Sequence, residues 1–336
     1  MKQAFDIVTG GAGFIGSHLV DRLVNEGRRV RVIDNLKVGH PRNLEQHKHN
    51  ADVEFIVADV ADLERMKILC DGAERIFHLA ARADIVPSIQ DPFDYYRSNV
   101  DGTFAMLEAA REARIQRFVY VASSSCYGFP EHFPTTEQDK IAPQYPYALT
   151  KFLGEQLVGH WHQVYKLPTV SLRFFNVYGP RARTSGTYGA VFGVFLAQLL
   201  ADKPLTIVGD GTQTRDFTFV SDVVDAIVTA ANSAISGEIF NVGSGRKPVS
   251  INRLVELLGA TQTTYIPKRP GEPDTTWADV SKIQRMLNWQ AKVSIEEGVS
   301  IMLQHIDYWR EAPVWTPETI AEATELWFQC LGNETA

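Results

Sequence analysis

The chain has 336 residues, 45% of them apolar, and a formal net charge of −7. That length supports a sizeable core in one large domain or two interlocked ones. The acid excess, with no block of basic residues, argues against nucleic-acid binding, and no apolar run is long enough to span a membrane.

Cys70, Cys126 and Cys330 are odd in number, far apart and without metal-ligand spacing. They fit a reducing cytoplasm and give no metal site. The N-terminus leads directly into a strand, so no signal peptide is expected.

Residues 5–8 are an apolar run that reads as a short buried strand. Glycines follow at 10, 13 and 16, then a helical pattern at Ile15, Leu19, Val20, Leu23 and Val24, with Gly27 as its stop. A second apolar run, 30–33, ends in Asp34. Gly10 lets the chain turn off the strand, Gly13 lets backbone approach a pyrophosphate, and Gly16 lets the helix pack on the sheet. The helix N-terminus offers N–H groups to phosphates, and the acid can bond ribose hydroxyls. The spacing is GxxGxxG rather than GxGxxG.

Further strands are expected at 53–60 (running into a loop), 75–81, 118–123 and 169–174. Helices are expected at 62–70, 91–113 and 148–165. This alternation implies an α/β fold of Rossmann type, a doubly wound parallel sheet with helices on both faces. Its ligand should lie beyond the carboxyl ends of the strands. After Pro180 the rhythm changes. A loop at 180–190 precedes a strand at 205–208, a Gly-Asp-Gly turn, a helix at 221–232 and a strand at 240–242. Helices follow within 250–259 and 280–304.

The expected domains are a dinucleotide-binding unit of 1–179 with about 216–243, and an interleaved smaller substrate unit of 180–215 and 244–315. A tail, 316–336, completes the chain. In it Thr316 caps a helix starting at Pro317. Ile320, Ala323, Trp327, Cys330 and Leu331 form an apolar stripe, packed on its own domain or at a subunit interface.

Tyr147 and Lys151 lie four apart on one helix face. An ordinary tyrosine, with a pKa of about 10, is a poor base at neutral pH. A nearby ammonium and a positive nicotinamide ring favour its phenolate, which can take a proton from a sugar hydroxyl as hydride leaves the carbon. The lysine can also hold the cofactor ribose. Ser123, Ser124 and Ser125 end the preceding strand, and a hydroxyl there can relay the proton. Ser123 is the favoured one.

These residues carry a resemblance along nearly the whole chain. The sequence resembles the extended short-chain dehydrogenases/reductases of the NAD-dependent epimerase/dehydratase type. Within that type it resembles the UDP-sugar 4-epimerases that act on UDP-galactose, UDP-N-acetylglucosamine or UDP-glucuronate. The carrying motifs are Thr9-Gly10-Gly11-Ala12-Gly13-Phe14-Ile15-Gly16, Asp34-Asn35-Leu36, His78-Leu79-Ala80-Ala81 and Asn99-Val100-Asp101-Gly102-Thr103. They continue in Ser123 to Gly128, Tyr147 to Lys151, Arg173 to Pro180, Arg215-Asp216-Phe217 and Arg269-Pro270-Gly271-Glu272-Pro273.

The resemblance implies that Gly10, Gly13, Phe14, Ile15, Gly16, Asp34 and Asn35 bind the cofactor. Asp59 and Val60 would meet the adenine, and Leu79, Ala80, Ala81, Asn99 and Phe174 would line the cofactor beside Tyr147 and Lys151. Ser123, Asn176, Arg215 and Arg269 would hold the nucleotide sugar, with Tyr188 and Val191 beside its base or sugar. The carboxylate of Asp34 favours NAD over NADP, with Lys37 as the dissenting feature.

Family members share oxidation at C4 and differ in the fate of the ketone. A 4,6-dehydratase has an Asp-Glu pair where this chain has Ser124 and Ser125, and a decarboxylase has a glutamate at the place of Ser125. Their absence points to a 4-epimerase. Cys126 is either a small core residue or, if it faces the cleft, an unconventional acid that would restore a 4,6-dehydratase. A non-catalytic NAD-binding regulator is the third reading. Helices near 100–113 and 148–165, apolar on more than one side, predict a homodimer through a four-helix bundle.

Overall fold

The computed structural model describes residues 4–182 and 190–332. Its centre is a seven-stranded parallel sheet. The strands are β1 (Phe5–Thr9), β2 (Arg29–Asp34), β3 (Val53–Val57), β4 (Ala73–His78), β5 (Arg117–Ser123), β6 (Thr169–Phe174) and the segment Glu238–Val242. Across the sheet they run Glu238–Val242, β6, β5, β4, β1, β2, β3. Ile7, Val8, Phe77, Phe118 and Val119 are fully buried, because helices cover both faces of a parallel sheet.

Helix α1 (Phe14–Asn25) and the helix Val220–Asn232 bury Leu19, Leu23, Val223 and Ile227 on one face. On the other face, α2 (Leu63–Cys70) contributes Met66 and Leu69. Helices α3 (Ile85–Gln90) and α4 (Pro92–Tyr96) lead to α5 (Gly102–Ala113) and then α6 (Pro146–Tyr165). Met106 and Val158 come from these last two. The order of connection reverses between β1 and β4. A crevice therefore opens beyond the carboxyl ends of the central strands β1, β4 and β5.

The expected helix over 91–113 is built in three parts. A π-helical turn, Arg97–Asp101, joins α4 to α5. There the Thr103 hydroxyl donates to the Asn99 carbonyl at 2.6 Å, and Gly102 passes Val60 so closely that a Cβ would lie 2.8 Å from its Cγ2. Such turns are rare and recur at functional sites.

A smaller unit carries a second core, including Phe192, Phe195, Leu205, Leu254, Trp309 and Ile320. Here Leu205–Val208 pairs in parallel with Thr263–Ile266. The fold is thus a Rossmann-type nucleotide-binding domain with a smaller C-terminal substrate subdomain. No helix among the described residues is long and apolar enough to cross a membrane.

The tail forms the helix Pro317–Leu331, with Thr316 and Thr319 capping each other reciprocally. Its buried residues are Ile320, Thr324 and Trp327. The expected stripe needs one correction, since Cys330 is exposed. Positions 320, 324, 327 and 331 follow the helical repeat, and 330 falls on the neighbouring face.

One buried ion pair fastens the sheet under the crevice. Arg173 of β6 donates to both carboxylate oxygens of Glu155 of α6, at 2.8 and 2.6 Å, and neither side chain is more than 4% exposed. Arg173 also donates to the Tyr127 hydroxyl, which donates to Asn241. Glu155→Ala would leave a guanidinium buried without its counter-ion. We expect a loss of about 3–5 kcal/mol in chemical denaturation.

Candidate active site

The crevice holds a cavity of about 660 Å³ that extends from the glycine turn to Trp327 of the tail. The turn is shaped for close approach. Gly10 adopts φ +68°, where a Cβ would come within 2.8 Å of the Ala80 amide nitrogen. A Cβ on Gly16 would overlap the Gly10 carbonyl oxygen. Phe14, Ile15 and Gly13 line the same wall at the start of α1.

Asp34 ends β2 beside this turn. One carboxylate oxygen accepts from the Ala12 N–H at 3.0 Å and the other from the Leu36 N–H at 2.8 Å. Burial pushes its carboxyl above the usual range, and these two donors pull the other way. The Lys37 ammonium, also in the cavity lining, lies 2.6 Å from Asp94. Asn35, Asp59 and Val60 complete that end of the wall.

The floor at Leu79 and Ala80 is fixed by a directional relay. Both amides donate to the Thr9 hydroxyl at 3.2 Å, and Thr9 lies 2.8 Å from His78 Nδ1. His78 Nε2 lies 3.1 Å from Thr103, which donates onward to Asn99. Burial drives the imidazole down to about 3. It is therefore neutral, taking the Thr9 proton at Nδ1 and donating from Nε2.

At the end of β5 the Tyr147 hydroxyl donates to Ser123 Oγ at 3.2 Å. Ser123 Oγ lies 2.8 Å from Ser125 Oγ. Tyr147 projects from the first turn of α6, where Pro146 takes an N-terminal position that needs no N–H partner. Burial holds its phenol above the ordinary value, while the Ser123 bond opposes that. Lys151, one turn on, is pushed down to about 7 by burial, and the Glu155 carboxylate pulls it back up. Its ammonium sits 4.4 Å from the centre of the Tyr120 ring, a cation–π contact.

At the far end, Arg215 and Arg269 share one carboxylate, Glu272, at 3.6 and 3.2 Å. Both guanidiniums line the cavity, and a planar, permanently charged fork suits an anionic group. Asn176 and Val191 also line the cavity.

Asn99 and Cys126 are not in the cavity lining. The Asn99 carboxamide accepts from the Arg82 N–H and donates to the Arg82 carbonyl and to Thr150. These bonds brace the segment after β4. Cys126 belongs to the packed core at 2% exposure, and burial pushes its thiol up to about 12. A buried thiol packed among apolar side chains is no acid for the cleft. Tyr188 lies outside the described residues. Ser124, Ser125, Ala81 and Phe174 are in the cavity lining.

Sequence reasoning passed over Tyr145, Trp315 and Trp327, which also line the cavity. Tyr145 precedes α6 and lies parallel to Tyr147, with ring centres 6.3 Å apart and planes 11° apart. Its place two residues before the YxxxK tyrosine was its only sequence signal.

A glycine cradle, an acid at the end of β2 and a Ser–Tyr–Lys set on one crevice define a Rossmann-fold enzyme that handles a dinucleotide. The chain belongs to the NAD dependent epimerase/dehydratase family, whose pattern matches residues 7–243. It is 37% identical over 300 residues to a UDP-glucose 4-epimerase of Mycolicibacterium smegmatis, covering 88% of this chain and 96% of that protein. Among solved structures it resembles the UDP-N-acetylglucosamine 4-epimerase of Methanobrevibacter ruminantium in complex with UDP-N-acetylmuramic acid. The TM-score there is 0.85 at 32% identity, over 91% of this chain and 99% of that one. The UDP-glucuronic acid 4-epimerase of Bacillus cereus, solved with UDP-glucuronic acid and NAD, aligns with a TM-score of 0.83 at 34% identity. It covers 90% of this chain and 98% of that one.

Proposed function

We propose that the protein is an NAD-dependent nucleotide-sugar 4-epimerase acting on a UDP-linked hexose, N-acetylhexosamine or uronic acid. The observation that carries this reading is the Tyr147–Ser123 hydrogen bond beside Lys151, followed by Ser124 and Ser125 instead of acids.

NAD suits the glycine cradle and the carboxylate of Asp34. NAD, when bound, accepts a hydride from the sugar and later returns it. The protein's residues do the rest. Tyr147 Oη takes the proton of the 4-hydroxyl, with Ser123 Oγ positioned to relay it. Lys151 holds positive charge beside the phenolate. Arg215, Arg269 and Asn176 hold the diphosphate while the 4-keto sugar turns over, and Tyr147 returns the proton to the inverted oxygen. Without an acid to expel water from C5–C6, the ketone is re-reduced.

The cofactor unit is assigned to 1–179 with about 216–243, and the sugar-nucleotide unit to 180–215 and 244–315. A homodimer through α5 and α6 is supported by Phe104, Leu149 and Val164, all at least 43% exposed. Sedimentation at micromolar concentration should give a dimer, and a monomer would refute it. A cytoplasmic setting is supported by the three free cysteines.

The test is incubation with UDP-, GDP-, CDP- and dTDP-sugars, read by NMR and mass. A C4-inverted product of unchanged mass is expected from a UDP-sugar. Loss of water would instead make the protein a dehydratase.

A further inference from the structure

The C-terminal helix Pro317–Leu331 touches both sides of the cavity. On one side it packs against α3, whose Ile85 and Val86 line the cavity. On the other it meets three successive residues of the phosphate-end segment. The Arg269 guanidinium lies 5.6 Å from the centre of a Trp327 ring. The Trp327 indole N–H donates to the Pro270 carbonyl at 2.8 Å. Gly271 has φ +76°, and a Cβ there would come 2.9 Å from Leu331 Cδ1. The next residue is Glu272, the shared partner of Arg269 and Arg215.

The lead-in to the helix is anchored as well. Gln198, fully buried, donates to the Trp315 carbonyl at 2.8 Å and to the Thr206 hydroxyl at 2.9 Å. Trp315 and Trp327 both line the cavity, although Trp327 is only 2% exposed. The tail is thus fitted to the site along its length.

We propose that this helix is a clasp for the nucleoside-diphosphate part of the substrate, with Trp327 as the positioning residue for Arg269. The proposal rests on the nucleotide-sugar reading for the identity of the ligand. The physical reason is preorganisation. A guanidinium already stacked on an indole, in a segment whose backbone is pinned at Pro270, loses little freedom when the diphosphate arrives. The helix also closes the cavity against α3, so it bounds the space available beside the bound nucleotide.

The test uses the full-length protein with its NAD, titrated calorimetrically with UDP, GDP, CDP and dTDP. It compares wild type with Trp327→Ala, Trp327→Phe and Leu331→Ala. Trp327→Ala should weaken binding of the preferred diphosphate about tenfold and raise KM in step, with kcat within roughly threefold of wild type. NAD content should be unchanged. Trp327→Phe keeps a ring and loses the indole N–H, so it should weaken binding only about two- to threefold.

Unchanged affinity in a folded Trp327→Ala protein would overturn the clasp, as would a fall in kcat at constant KM. If that variant fails to fold, Trp327→Phe and Leu331→Ala decide. Weaker diphosphate binding supports the proposal, and wild-type affinity in both overturns it. A wild-type protein that binds none of the four diphosphates would sink the nucleotide-sugar reading together with the clasp. Loss of the clasp alone leaves wild-type binding intact.

Discussion

Tyr147→Phe should lower kcat about 10³-fold while leaving KM and thermal stability close to wild type. The substitution removes one oxygen. That oxygen donates to Ser123, and Ser123 keeps Ser125 as a partner at 2.8 Å. No buried polar group is orphaned, so the fold loses only one modest hydrogen bond, worth about 1 kcal/mol. The chemistry loses its proton acceptor. Steady-state kinetics on the UDP-sugar identified by the panel, with a melting curve as control, reads both quantities. A decline of less than about tenfold would assign the proton to another group.

Lys151→Met should act on rate and stability in opposite directions. The rate should fall about 10²-fold, because the phenolate loses its neighbouring positive charge. Stability of the cofactor-stripped protein should rise at neutral and acid pH. The sign follows from linkage. Lys151 titrates at about 7 in the folded protein against 10.5 when unfolded. Between those values the unfolded chain holds a proton that the folded chain lacks, so wild-type stability climbs with pH across that window.

Below pH 7 the lysine is charged in both states, and the whole cost of burying it is present. Methionine carries no such cost. Each pKa unit is worth about 1.4 kcal/mol, so the advantage of the variant at pH 6 is on the order of a few kcal/mol. It should shrink steadily from pH 7 towards 10. Melting temperatures of the two proteins across that range check the prediction. A pH-independent difference would mean that the change reports packing against Tyr120 instead of charge.

Backbone necessity made part of this molecule legible in advance. Gly10 and Gly16 stand where a Cβ collides with main chain, and Asp34 stands where the second strand ends, so local spacing alone located the cradle. Tyr147 and Lys151 were legible because one helical turn brings them together. The orientation of Asn99 was not legible, for a physical reason. Its motif lies beside the cofactor crevice, but the π-helical turn aims its carboxamide at the Arg82 backbone, and a π turn leaves no periodicity to read.

Cys126 follows the serines in sequence, yet the short 3-10 turn Ser124–Tyr127 rotates it into the core. The tail was the other gap. Its amphipathic stripe showed that the helix packs, but not on what. Trp327 meets Pro270, 57 positions away, a pairing that only tertiary structure discloses.

In 4-epimerisation a hydride leaves C4 and returns to the same carbon on its other face. The most direct measurement follows the preferred UDP-sugar, deuterated at C4, through turnover in ordinary water. Epimerisation predicts a C4-inverted product of unchanged mass that retains its deuterium. Washout of the label, or a product that has lost water, would contradict it.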